Sequence, residues 1–570
     1  MTTAAPWTPL LDSTPGWTHH RHGELTLWWA GAELRRDPAT LAAELVALGG
    51  TQAPDPDRLT AWLAGLDGFF ALVAQGPGWL LAAVDRVRSR PLLWAEAQGH
   101  FWLSQEGPPL AERLGLGPGD ADPDQVIAFA LAGYTVGEAT LYPAIRALTP
   151  GQALLLDAGP EGRVTARPLT HHRWRPFAPD AVDPDDLRRP LAEVHERLIQ
   201  RLIGHAAGRP ILVPLSAGLD SRMIASGLVA AGYPHVRTFA YGRAGNREAV
   251  ISRRIAHRLG LPWTFVPYTN RGIRRIMSSP GHRRYWAQAD SLTAIPFPQD
   301  FAALSTLKQA GEVPDDAVVV NGQTGDFISG NHIPASLFAP GHGLSPEARL
   351  RRIVDGLLAK HFKHWRCLLD APRLDAVRAL LDAEVRRLGD LPDSPLGDHG
   401  LLEATEFHNR QAKYVINGQR CYEALGLDWW LPLWDRPALD FWAAAPLAAK
   451  RDQTLYREVL TETNWGGVWR DLPINPLRIQ PAWMRPVRWL AKAAHAPLPD
   501  GRARWRTFET RYLTWFTDPL CSYATWPWWQ VATEPRGAAS PLAFFHAAYL
   551  EARGIDWAGM PPCPRTASEG

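Results

Sequence analysis

Residues 211–222 read Ile-Leu-Val-Pro-Leu-Ser-Ala-Gly-Leu-Asp-Ser-Arg, and no other stretch constrains the fold as strongly. The apolar run Ile211 to Leu215 predicts a buried parallel strand. It stops at Ser216-Ala217-Gly218-Leu219-Asp220-Ser221, and apolar positions at Met223, Ile224, Leu228 and Val229 then predict a helix. A strand, a tight turn and a helix start gather backbone N–H groups and hydroxyls around one point, which the helix dipole makes attractive to anions. Asp220 would repel phosphate there, unless a divalent cation lies between the two. The loop is not a Walker loop, because it lacks Gly-Lys-Ser/Thr at its end. The plainer alternative is an ordinary strand-to-helix turn capped by serine.

The chain has 570 residues, enough for two domains or more, and its 46% apolar content supports large cores. A net charge of +2 gives no footprint for nucleic acid. Four scattered cysteines (367, 421, 521, 563) lack zinc spacing and a disulfide pattern, which fits a reducing cytoplasm. The N-terminus reads as free of a signal peptide, and no run of about 18 apolar residues predicts a membrane span.

The predicted class is α/β. Residues 1–167 read as a β-rich domain of two packed sheets, with strands at Leu25–Trp29, Gly68–Ala74, Trp79–Val84, Phe101–Leu103 and Ala153–Leu156. Residues 168–186, rich in Pro, His and Asp, read as a linker. From 187 to 460 helices (187–206, 222–232, 246–259) alternate with strands (211–215, Val236–Ala240, Trp263–Val266). That pattern predicts a doubly wound parallel sheet with ligands at the carboxyl ends of its strands. Residues 461–570 read as a helical, Trp- and Arg-rich extension. Within it, Trp483-Met484-Arg485-Pro486-Val487-Arg488-Trp489-Leu490-Ala491-Lys492 mixes aromatic and basic residues as a membrane-surface helix does, although Pro486 interrupts the pattern. The alternative is a solvated helix packed on the core.

The loop at 216–221 resembles the pyrophosphate loop of ATP pyrophosphatases, and the chain as a whole resembles asparagine synthetase-like enzymes. Phe239-Ala240-Tyr241-Gly242 resembles that family's second strand. Asn321-Gly322-Gln323-Thr324-Gly325-Asp326 resembles its Ser-Gly-Glu-Gly-Ser-Asp segment, and Gly426-Leu427-Asp428-Trp429-Trp430-Leu431-Pro432-Leu433-Trp434-Asp435 a further motif. Leu66-Asp67-Gly68-Phe69-Phe70-Ala71, Asp85-Arg86 and Leu148-Thr149-Pro150-Gly151-Gln152 are similar to its glutaminase-type domain.

The resemblance implies ATP and Mg²⁺ as cofactors. Leu215, Ser216, Gly218, Asp220, Ser221, Tyr241, Gly242 and Gly322 would hold the nucleotide, and Asp220 with Asp326 the metal. Three departures stand out. Position 2 is Thr where the family's glutaminase has Cys, so the domain reads as a scaffold without glutaminase activity, with an N-terminal threonine nucleophile as the alternative. The family's acidic residue is Gln323, which cannot act as a general base. The family's pyrophosphate-binding Lys falls in register with Gln453, so Lys450 or Arg451 is the candidate to supply that charge.

The implied reaction is adenylation of a carboxylate, releasing pyrophosphate, followed by attack of ammonia or an amine on the acyl group and release of AMP. The motif around Lys413-Tyr414-Val415-Ile416-Asn417-Gly418 resembles the branch of surface-polysaccharide pathways, which implies a sugar acid, nucleotide- or lipid-linked. His332, Lys413, Gln419, Arg420, Tyr422 and Trp430 would be its contacts. Two alternatives remain open: a cyclase similar to lasso-peptide cyclases or β-lactam synthetases that forms an internal amide, and a non-catalytic nucleotide-binding protein.

Overall fold

The computed structural model describes residues 5–49, 52–159, 163–176, 183–339, 341–475 and 479–563. Thr2 lies outside them. The N-terminal part contains strands β1 (Trp7–Pro9), β2 (Trp17–His22), β3 (Leu25–Glu33), β4 (Gly68–Gly76), β5 (Trp79–Val84), β6 (Leu93–Ala97), β7 (His100–Ser104), β8 (Ile145–Ala147), β9 (Gln152–Ala158) and β10 (Val164–Thr170). They form a six-stranded sheet in the order β10-β9-β5-β4-β3-β2 and a four-stranded sheet in the order β1-β7-β6-β8.

Strand β4 shows why its sequence is apolar throughout. Successive side chains alternate between faces. Phe70, Leu72 and Ala74 pack with Leu41, Leu45, Leu59 and Leu63 of the helices Pro38–Gly49 and Pro56–Gly65. Ala71 and Val73 pack against the second sheet through Leu92, Phe101 and Leu103. The six-stranded sheet is thus covered on both faces, once by helices and once by the other sheet. β10 runs past residue 167 into the predicted linker. Beyond it Trp174 is buried, its indole N–H donating to the Leu439 carbonyl at 2.8 Å. Among the described residues of this connection, Trp174 is an aromatic anchor that docks residues 171–176 onto the second unit.

The second unit is built on five parallel strands: β11 (Ile211–Pro214), β12 (Val236–Arg243), β13 (Trp263–Tyr268), β14 (Val318–Val320) and β15 (Asp428–Trp430). Their order is β13-β12-β11-β14-β15. The predicted helices appear at Arg188–Ala206, Asp220–Ala230 and Arg247–Arg258. From β11 the chain winds outward through β12 to β13, then returns to place β14 on the other side of β11. The order therefore reverses between β11 and β14, and a crevice opens at their carboxyl ends.

The two units share one apolar cluster that includes Phe69, Val126, Phe129, Ile211, Trp430 and Trp557. The C-terminal part folds back onto both: Arg222 donates to the carbonyls of Leu472 and Pro473 at 3.1 and 2.9 Å, and Tyr549 stacks on Phe129. Among the described residues no helix is long and apolar enough to cross a membrane.

Candidate active site

The crevice at the strand reversal is a cavity of about 370 Å³. Ser216, Gly218, Asp220, Ser221, Tyr241, Gly322, Gln323 and Asp326 all line it. They come from three places. Ser216 to Ser221 join β11 to the helix starting at Asp220, Tyr241 belongs to β12, and Gly322 to Asp326 follow β14. Adjacent strands thus deliver two loops to one point, although about a hundred residues separate them in sequence.

The first loop is braced by its own hydroxyls. Ser221 Oγ accepts from the Ser216 N–H at 3.0 Å and bonds Ser216 Oγ at 3.0 Å, and Ser216 Oγ accepts from the Gly218 N–H at 3.0 Å. Asp220 stands at the first turn of the helix. Its carboxylate accepts from the Tyr456 hydroxyl at 3.0 Å and from the Asp326 N–H at 3.2 Å. A Cβ on Gly322 would meet the Ser221 nitrogen at 2.5 Å, and one on Gly325 would collide with the Asp220 carboxylate. These glycines let the second loop lie directly on the first. Close packing of the two loops is thus a reason for glycine at 322 besides the expected nucleotide contact.

Burial and the neighbouring Asp326 push the Asp220 carboxyl up to about 8. Burial acts on Asp326 in the same sense, but His332, at 3.4 Å, outweighs it and holds that carboxyl below its usual range. His332 also bonds the buried Glu406, which lies 3.0 Å from His361. Burial opposes charge on His332, yet Glu406 and Asp326 together raise its pKa. No Lys or Arg among the described residues pairs with Asp220. Asp220, without a cationic partner, and Asp326 meet on one cavity, and two such carboxylates fit a magnesium ion that takes its remaining ligands from phosphate and water. No set of three or more His, Cys, Asp or Glu among the described residues could hold a metal without such help.

Several predicted residues lie elsewhere. Leu215 is buried beneath the loop, with its carbonyl accepting from Ser252 at 2.6 Å. Gly242 faces the Pro519 carbonyl, 2.8 Å from where a Cβ would stand, so it serves the C-terminal segment rather than the cavity. Lys450 is fully buried and paired with Glu403 at 2.8 Å; burial of an ammonium demands a carboxylate, and this one is not in the cavity. Arg451 is exposed and stacks over Phe338 at 4.9 Å. The cavity wall is formed instead by Gln453, whose Nε2 donates to Ser329 Oγ at 2.7 Å.

Lys413, Arg420 and Trp430 are not placed to touch a sugar in the cavity. Lys413 and Arg420 both face the N-terminal unit: Lys413 Nζ donates to the carbonyls of Thr135 and Gly137 at 2.8 and 2.6 Å, and Arg420 to that of Ser89 at 3.0 Å. Trp430 is buried between Phe69 and His205. All three cement the two units, and none lines the cavity. Gln419 and Tyr422 form a layer behind it. Gln419 Nε2 donates to Gln323 Oε1 at 3.2 Å, and the Tyr422 hydroxyl donates to Asp300 at 2.5 Å while accepting from Asn321 at 2.9 Å.

Sequence reasoning missed Gln299, Asp300, Asn331 and Asn475 in the lining, and Tyr456 and Glu406 behind it. Asp300 accepts from Tyr241 at 2.5 Å as well as from Tyr422. Tyr456 lies in the same stretch as Gln453, and its helical periodicity gave the only available signal. Next to the cavity, and sharing Asn331 with it, lies a cleft of about 750 Å³ lined by His332, Ser336, Arg351, Arg352, Asp355 and Lys360. His332 stands between the two spaces.

Residues 204–463 match the family model of asparagine synthase. No curated protein matches the chain. Among solved structures, glutamine phosphoribosylpyrophosphate amidotransferase from B. subtilis complexed with ADP and GMP is 14% identical. That match covers 44% of this chain and 73% of that one, with a TM-score of 0.19. A structure described as the allosteric regulatory enzyme of purine biosynthesis is 13% identical, covering 44% and 62%, also with a TM-score of 0.19. Overlaps this low bear on neither fold nor chemistry. The segment similar to asparagine synthase supplies every lining residue of the cavity except Asn475.

Proposed function

We propose that this protein is an ATP-dependent amide-forming synthetase that adenylates a carboxylate. The observation that carries the reading is the meeting of Asp220 and Asp326 with the Ser216–Ser221 loop at the strand reversal. A carboxylate is a poor acyl donor because its leaving group would be oxide. When its oxygen attacks the α-phosphorus of ATP, the bond to the bridging oxygen breaks and pyrophosphate departs. An amine nitrogen then attacks the acyl carbon, the bond to AMP breaks, and an amide remains. The Ser216 and Ser221 hydroxyls and the helix N-terminus receive the phosphates. Asp220 and Asp326 would hold a magnesium ion, which neutralises phosphate charge when bound. Gln323 carries no base, so the amine's proton leaves to water or to released phosphate oxygens.

The substrate is bulkier than an amino acid. The adjoining cleft is twice the size of the nucleotide cavity, and Arg351, Arg352 and Lys360 outnumber Asp355 along it. That suits an anionic sugar acid carried on a nucleotide or lipid. The same volume admits a peptide, and the first 366 residues contain no cysteine to release ammonia from glutamine, which favours an internal amine as the second reading.

Carboxylate-dependent exchange between ATP and labelled pyrophosphate tests the reaction class. Nucleotide-linked uronic acids with ammonium, and acidic peptides with a free amine, are the two substrate panels. Production of ADP, or exchange with no carboxylate requirement, would overturn the reading.

A further inference from the structure

Most of the large apolar side chains exposed on this protein lie in one region. Among the described residues, Trp483, Val487, Trp489, Leu490, Trp528 and Trp529 are 59, 42, 69, 60, 40 and 64% exposed. Monomers scatter such residues singly, so a concentration of them marks a contact surface. The helix Met484–His495 and its cap Trp483 supply four of these six side chains. Met484, Arg488, Ala491 and His495 recur at helical spacing on the side that packs inward, against Trp505 and Glu509. Trp489 and Leu490 straddle the opposite side, Trp483 and Val487 occupy the flank beside Leu490, and all four meet solvent. The helix is therefore apolar on the face it turns away from the protein. Pro486 does not break it, because it falls in the first turn, where no intrahelical N–H bond is lost.

The other two come from the helix Trp528–Thr533. Trp483 contacts Phe516 at 6.2 Å and Phe516 contacts Trp528 at 6.1 Å, so aromatic rings connect the two helices. Around this apolar centre the charge is one-sided. Between residues 483 and 511 basic side chains outnumber acidic ones seven to two, and Lys492, Arg502, Arg504 and Arg506 are exposed. A second copy of the chain would bring the same positive charge to the contact. An anionic lipid surface offers both an apolar layer for indole rings and phosphate for the basic rim.

We infer that this face docks the protein onto anionic membranes, with Trp483, Trp489, Leu490 and Trp529 entering the headgroup region. The location fits a substrate delivered from a lipid surface. Just before the helix, Gln480 Nε2 donates to the Gly245 carbonyl at 2.8 Å, and Gly245 follows β12. The helix thus begins at the carboxyl edge of the parallel sheet, the edge that holds the cavity. The docking inference itself does not depend on the proposed chemistry.

The test is co-sedimentation of the full chain with vesicles of phosphatidylcholine alone or with phosphatidylglycerol added. Binding to the anionic vesicles should exceed binding to neutral ones by at least about tenfold and fall steeply as salt is raised. Trp489→Ala combined with Leu490→Asp should abolish it, and Arg502→Gln with Arg504→Gln and Arg506→Gln should weaken it severalfold. All these side chains are exposed, so the variants should melt at the wild-type temperature. Equal binding by the apolar variant, equal binding to neutral vesicles, or no binding at all would overturn the inference. So would self-association, measured by sedimentation velocity, that the same variants abolish while vesicles are not bound.

Discussion

The backbone N–H of Asp326 donates to the carboxylate of Asp220 across 3.2 Å, joining two loops that lie 106 positions apart in the chain. The bond fixes the separation of the two acids that face the cavity. It also means that each loop is positioned by the other, so damage to one displaces both.

Asp220→Ala and Asp326→Ala should each lower the adenylation rate by at least about 100-fold, the scale of losing one strong transition-state electrostatic contact. Pyrophosphate exchange at varied magnesium measures this. Asp220→Asn keeps the bond from Asp326 but not the charge, so it should fold as the wild type does and still fail to exchange. Full activity in any of the three would remove the acids from the chemistry.

Gln323→Glu adds a negative charge beside Asp220 and Asp326. At about 4 Å and an effective dielectric of about 20 the repulsion of an incoming carboxylate reaches about 4 kcal/mol before screening. Affinity for the carboxylate substrate should fall more than affinity for ATP. Isothermal titration with each ligand separates the two, and equal losses would show that Gln323 does not face the acyl group.

Lys450 is a structural cation. Its removal in Lys450→Met leaves Glu403 buried with His399 as its remaining partner, at 2.7 Å. The expected loss of stability is about 3–5 kcal/mol, because removing one member of a buried ion pair costs far more than the pair contributes. Replacing Glu403 by Leu in the same chain should restore most of it. Urea denaturation reads the stability, and the KM for ATP in the folded variant should stay at the wild-type value.

Acid should weaken the fold through buried histidines. Burial pushes His195, packed between Tyr456 and Trp465, down to about 3. Below the unfolded value of about 6.5 the unfolded chain binds a proton that the native chain refuses, so stability falls as pH drops from about 6.5 towards 3. His195→Gln should flatten the dependence by up to about 1.4 kcal/mol per pH unit in that window. Denaturation midpoints at pH 7, 6 and 5 check it, and an unchanged slope would mean that His195 is solvated.

The sequence by itself determined the local frame of the site. An apolar run, a Ser- and Gly-containing turn and a helical period place Ser216, Gly218, Asp220 and Ser221 on a strand-to-helix loop, because these signals act within a few residues. The likeness of 321–326 to a second loop brought Asp326 and Gln323 with it. Which charged residues face the cavity was decided only by tertiary structure. Lys413, Arg420 and Lys450 carry the same charge as a binding residue would, and a helical period places them on a face without saying what that face meets. Each meets carbonyls or a carboxylate in the interior, because a buried cation must find such partners. Asp300, Asn331 and Asn475 reach the cavity from segments with no motif, since the winding of β11 through β14 and the return of the C-terminal chain alone bring them there.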